Sequence, residues 1–125
     1  MIPYFKAYLI KHEKIVDVRE INYNLLEIGW RDDDFHDTVS SFDDIKFIQP
    51  TGLLDKNGKE IYEGDILHHK VQGTGVVFYP YRDTMASFGI RNVNTNFGRN
   101  LQDTAKAGYE VIGNKFEHPH LLGED

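Results

Sequence analysis

Leu53-Leu54-Asp55-Lys56-Asn57-Gly58-Lys59-Glu60-Ile61-Tyr62 reads as two short extended pieces joined by a turn, and this reading decides the fold class. Apolar residues flank the stretch, and its middle holds the residue types that turns require. The Asp55 carboxylate can accept hydrogen bonds from the backbone amides ahead of it. Gly58 can take a positive φ without the steric penalty of a Cβ. Gly64 supplies a second bend before Asp65-Ile66-Leu67 open another strand. Val71-Gln72-Gly73-Thr74-Gly75-Val76-Val77-Phe78 is a further hairpin signal, with glycines at the bend and β-branched residues beyond it. Met85 to Val93 supplies a strand to pair next, and Tyr109 to Gly113 returns to strand.

Upstream, Ile2 to Ile10 and Ile15 to Ile21 are rich in Ile, Val, Tyr and Phe and are separated by the polar Lys11-His12-Glu13-Lys14. Val16 and Val18 alternate with Asp17 and Arg19, the period of a half-buried strand, so the pair reads as a hairpin. Tyr23 to Trp30 is a third apolar stretch that extends the sheet. The run Asp32 to Asp37 breaks the pattern as an exposed loop, because adjacent like charges repel. Ser40 or Ser41, three residues before Asp43 or Asp44, signals a helix start, and Ile45 to Gln49 resumes a strand. One short helix is expected where Asn100 can cap, Asp103 faces the positive end of the dipole, Ala105 and Ala107 favour helix and Gly108 stops it. Pro119 begins a last helical turn through Leu122. Many short strands with glycine-rich bends give a mainly β fold, a small barrel with added N-terminal β structure and one or two short helices.

The run Gln49-Pro50-Thr51-Gly52-Leu53-Leu54-Asp55-Lys56-Asn57-Gly58-Lys59-Glu60-Ile61-Tyr62-Glu63-Gly64-Asp65-Ile66 resembles the signature of the YopX-like family of phage and prophage proteins. Glu110-Val111-Ile112-Gly113-Asn114 resembles that family's closing strand, and Phe5-Lys6-Ala7-Tyr8 is a fainter third match. The resemblance implies one domain over residues 1–125, with an N-terminal β subregion over 1–48 and an SH3-like barrel over 49–125. It also implies an origin in phages and prophages of mainly Gram-positive bacteria, and it brings no assigned enzymatic activity. Residues 9–48 lack strong landmarks of the family. His118-Pro119-His120 stands where the family has Asn-Pro followed by an acid, and His is a poorer helix cap than Asn.

Composition narrows the function classes. The chain has 125 residues and no cysteine, which excludes disulfides, thiolate metal sites and a cysteine nucleophile and fits a reducing cytoplasm in a bacterial host. Lys6 and Lys11 interrupt an N-terminal apolar stretch too short for a signal core or membrane span. The net charge of −6 is unevenly placed. Residues 1–50 carry ten acids against six Lys or Arg, whereas residues 66–115 carry Asp83, Asp103 and Glu110 against Lys70, Arg82, Arg91, Arg99, Lys106 and Lys115. An acidic chain is a poor default for polyanions, since phosphate binding draws on Lys and Arg contacts, so nucleic acid is possible but not favoured.

Candidate chemistry is sparse. Asp32, Asp34, His36 and Asp37 offer hard oxygens and one imidazole, suited to magnesium or manganese, but the run reads as a solvated loop. His68 and His69 would point to opposite faces of a strand, and no HExxH spacing is present. Ser40, Ser41 and Ser87 have no identifiable base, and nucleophile-elbow and phosphate-loop motifs are absent. Phe78, Tyr79 and Tyr81 beside Arg82, and Phe88 and Phe97 beside Arg91 and Arg99, have the composition of a base-stacking platform, yet read first as a barrel core edged by arginines. No catalytic, cofactor or metal residues are assigned, and no cofactor is expected. The reading is a non-enzymatic accessory protein acting through protein contacts and self-association. A nucleic-acid-binding barrel comes second and a metal-dependent nuclease third. The expected contact is a sheet edge or an aromatic patch, the unprotected edge being residues 2–10, where Lys6 is the only charge, with Tyr8→Lys as the disrupting change.

Overall fold

A computed structural model describes residues 5–82, 87–104 and 108–123, and within these the chain folds as short antiparallel strands in two units, Met1–Gln49 and Pro50–Asp125. The sequence readings on Ile2, Met85, Ala105 and Ala107 and on the Asp103 side chain lie outside the described residues.

The first unit contains β1 (Lys6–Leu9), β2 (Lys14–Asp17), β3 (Glu20–Asn22), β4 (Glu27–Arg31), β5 (Asp37–Ser41) and β6 (Ile45–Ile48). They form two three-stranded sheets, ordered β2-β1-β6 and β3-β4-β5. The expected opening hairpin is present, with Ala7 opposite Val16 and Tyr8 opposite Ile15. The expected free edge is not. β1 also pairs with β6, Tyr8 opposite Lys46, so it is the central strand and both of its edges are occupied. Alternation places Ala7, Leu9, Val18, Ile28, Trp30 and Ile45 in one core cluster, and the Trp30 Nε1–H donates to Ser40 Oγ at 2.9 Å. Ser41 caps the 3-10 turn Phe42–Asp44, accepting from the Asp43 N–H.

The second unit contains β7 (Pro50–Leu54), β8 (Glu60–Tyr62), β9 (Asp65–His69), β10 (Gly73–Phe78), β11 (Gly89–Asn92), β12 (Gly98–Asn100), α1 (Leu101–Thr104) and β13 (Glu110–Asn114). The order β12-β11-β10-β9-β13, with β7-β8 as a separate hairpin, is compatible with an SH3-like barrel. Ile61, Leu67, Val77, Ile90, Leu101 and Tyr109 form its core, with Leu53, Phe88 and Val111 packed against them. Gly64 has φ 87°, and a Cβ there would lie 2.8 Å from the Phe116 ring, so the bend before β9 needs glycine for two reasons. Asn100 caps α1 by accepting the Gln102 N–H. The final turn, Pro119–Leu122, is 3-10 helix closed by a left-handed Gly123. His118 does not cap it. Its Nδ1 turns back to accept the Asn114 N–H at 3.1 Å.

Candidate functional site

Asp55 is the most buried carboxylate of the described chain, 7% exposed, and it is used as a structural node. Oδ1 accepts the N–H groups of Asn57 at 2.8 Å and Lys59 at 2.9 Å, closing the β7–β8 loop. Oδ2 accepts the Val111 N–H at 2.9 Å, and the Lys56 N–H donates to the Tyr109 carbonyl. The loop thus ties itself to β13, which lies at one end of the five-stranded order. Burial acts to raise the Asp55 pKa. The N–H groups of Val111, Lys59 and Asn57, helped by the Lys59 charge, outweigh it and hold the carboxyl below its ordinary value. The two sequence stretches with the strongest family resemblance therefore meet through one side chain.

The acidic run repeats that loop. Asp32 Oδ1 accepts the N–H groups of Asp34 and His36, at the same offsets as Asp55 with Asn57 and Lys59. The Asp32 N–H donates to the His36 carbonyl as Asp55 does to Lys59, and Phe35 N–H donates to Asp32 as Gly58 does to Asp55. In both hairpins five loop residues separate the flanking pairs, Arg31 opposite Asp37 and Leu54 opposite Glu60. Asp32, Asp34 and His36 do bring donor atoms within 4.8 Å of one another. That gathering follows from the turn, with Asp32 Oδ1 already accepting two backbone N–H groups. Asp37, the fourth expected donor, instead meets Arg31 Nε at 3.3 Å. The His36 N–H is the main cause holding Asp32 below the ordinary carboxylate value.

A second pair of matching loops differs in the same way. Asn22 Oδ1 accepts from the amides of Asn24 and Leu25, and Asn92 Oδ1 from those of Asn94 and Thr95. The fourth residue after each Asn is left-handed, Leu26 with φ 52° and Asn96 with φ 60°. The corresponding residues of the five-residue loops are Phe35, φ 63°, and Gly58, φ 81°. The second unit thus uses Gly and Asn, which tolerate this conformation, where the first unit places Phe and Leu. Phe35 is 80% exposed and Leu26 57%. Tyr23 and Leu25 are exposed beside Leu26, Tyr23 touches Phe42 edge-on, and Phe42 touches Phe47.

The second unit also holds an open groove of about 400 Å3, lined by Gln72, Thr74 and Gly75, by Ile90, Asn92, Thr95, Phe97 and Arg99, and by Tyr109. Ile90 lies opposite both Val77 and Arg99, so the groove continues the core face of the sheet. Phe97 is 64% exposed, and the Arg99 guanidinium lies 6.0 Å from its ring centroid. Tyr109 is 5% exposed and stacks at a tilt on His69. Burial raises its phenol pKa, and the Arg99 charge pulls it partly back. The aromatic platform thus divides in a way that composition did not reveal. Phe88 packs on the core, Phe78 lies under Arg91 at 4.4 Å and against Gly89, and Phe97 stands in the groove. The core itself is aliphatic apart from Tyr109, with Phe88 packed against it, and arginines flank Phe78 and Phe97 at its margin. Sequence reasoning missed Tyr109 and Gln72 as groove residues, since one was read as a strand start and the other as part of a bend.

His68 and His69 diverge as expected. His68 Nδ1 meets Thr74 Oγ1, and His69 Nδ1 accepts the N–H groups of Val71 and Gln72. Among the described residues no helix is long and apolar enough to cross a membrane.

The family model described as YopX protein matches residues 4–123. The crystal structure of protein EF1440 from Enterococcus faecalis is similar over 98% of this chain and 99% of that one, with 25% identity and a TM-score of 0.62. No curated protein matches the chain.

Proposed function

The chain belongs to the YopX protein family, and from that membership we propose that it is a phage- or prophage-derived accessory protein of the bacterial cytoplasm that works through protein contacts, copies of itself included, and catalyses no reaction. The observation that carries this reading is the placement of exposed Leu26 and Phe35 at left-handed loop positions, where the matching loops hold Asn96 and Gly58. A bulky residue is strained there by about 1–2 kcal/mol. Such strain at an exposed apolar side chain is balanced when a partner buries it, at about 1.5–3 kcal/mol for a Leu or Phe. Tyr23, Leu25, Phe42 and Phe47 enlarge the apolar surface at the Leu26 end. Against catalysis, Asp32, Asp55, Asp65, His69 and His118 all accept backbone N–H groups, which occupies them in holding loops.

Light scattering over a dilution series tests the reading. A mass above the 14.5 kDa of one chain, falling on dilution and abolished by Leu25→Lys with the fold intact, is the expected result. A mass of one chain at every concentration would remove self-association.

A further inference from the structure

We propose that the groove between the β9–β10 bend and β12 is a nucleotide site, with Phe97 stacking the base, Arg99 and the Tyr109 hydroxyl holding the phosphate, and Gln72 reaching the base edge. The shared chemistry is a planar ring carrying an anion, whether in a free mononucleotide or in one unit of a single strand.

Charge gives the first argument. In a chain with twenty acids, no carboxylate among the described residues lines the groove, which carries the Arg99 guanidinium. It is a local anion site on a chain whose overall charge repels anions. Tyr109 gives the second. It lines the groove while 95% buried, and its hydroxyl makes no hydrogen bond to the described residues. A phenol hydroxyl at the groove wall that no described residue engages is a free donor for a phosphate oxygen, and the Arg99 charge acts on that same hydroxyl. Phe97 gives the third, since its exposed ring lies beside Arg99, which sets a stacked base next to a bound phosphate. The Gln72 side chain offers both a donor and an acceptor, while Gly75 and Ile90 leave an apolar floor. The volume, about 400 Å3, is in the range of small-ligand sites. The site does not rest on the protein-contact reading, because it draws on the second unit alone.

The test is 15N-resolved NMR titration of the whole chain at low salt with AMP, adenosine, inorganic phosphate and a short oligothymidylate. AMP is expected to shift the amides of residues 72–75 and 92–99 saturably. It should bind at least tenfold more tightly than either adenosine or phosphate alone. Arg99→Gln should weaken it tenfold or more and Phe97→Leu severalfold. Tyr109→Phe should weaken it severalfold without changing the melting temperature, because the hydroxyl has no structural partner to lose. If the oligonucleotide binds more than tenfold tighter than AMP, the occupant is a strand. The affinity should then fall with a log–log salt slope of about −0.7 for each phosphate held. If the two bind equally, the occupant is a free nucleotide. Absence of saturable shifts at these amides with every nucleotide probe overturns the proposal. So does adenosine binding as tightly as AMP, or AMP binding that survives Arg99→Gln.

Discussion

The Asp32 and Asp55 loops have one backbone design and opposite surroundings. Each begins with an aspartate that accepts the second and fourth following amides, and each needs a left-handed residue at its fourth place. In the second unit that place holds glycine, and the spare carboxylate oxygen reaches across to Val111. In the first it holds an exposed Phe35, and Asp32 Oδ2 meets the neighbouring His36 at 3.6 Å. The same local chemistry serves long-range integrity in one unit and local presentation of a side chain in the other.

Removing each carboxylate gives the largest contrast. Asp55→Ala should lower unfolding stability by about 3 kcal/mol or more, because three charge-assisted hydrogen bonds go and a Val111 amide is left unpaired. Asp32→Ala should cause a far smaller loss, and equal losses in urea titrations would erase the distinction. Protonation removes part of the same energy. The Asp55 pKa is lowered on folding, so its contribution is complete above the unfolded-state value and is lost as pH falls through the folded-state value. Asp55→Asn should therefore flatten the acid limb of the stability curve, and an unchanged limb would show that other groups set it.

Backbone substitutions probe the left-handed places. Gly64→Ala should cost about 2 kcal/mol or more, since unfavourable φ and the Phe116 contact act together. Gly58→Ala should cost about 1 kcal/mol, from φ alone, because a Cβ there meets open space. The opposite sign is expected at the matched position: Phe35→Gly should stabilise by about 0.5–1 kcal/mol, as should Leu26→Asn by a similar or smaller amount. Calorimetric melting of the isolated protein reads both signs. If Phe35→Gly destabilises, Phe35 is held by contacts within its own chain.

The β7–β8 turn was legible because Asp55 and Gly58 are the residue types that such a loop demands, and all but one of their bonds are local. Its twin at 32–36 was legible only as an exposed loop, since Phe35 gives no signal of positive φ. Tyr23 to Trp30 read as one apolar stretch, but residues 23–26 are a turn organised by Asn22, and only Glu27–Arg31 is strand. The central place of β1 depends on β6, whose pairing lies far along the chain, beyond the reach of local pattern. β12 escaped notice because Gly98-Arg99-Asn100 has neither apolar alternation nor β-branched residues. The groove was invisible for a related reason, as Gln72, Arg99 and Tyr109 come from separate segments that only the sheet register brings together.

The reach from Asp55 to Val111 also orders events during synthesis. Every strand of the first unit is complete once Ile48 has been made, so that unit can pair its sheets while the ribosome is still translating the rest. The signature hairpin of the second unit is made soon after, but its carboxylate gains a third amide only when the chain has reached Val111. Until then one oxygen of Asp55 must keep its water. A chain stalled between Asn100 and Tyr109 would carry a formed turn beside a sheet still lacking β13, the kind of nascent species that chaperones hold.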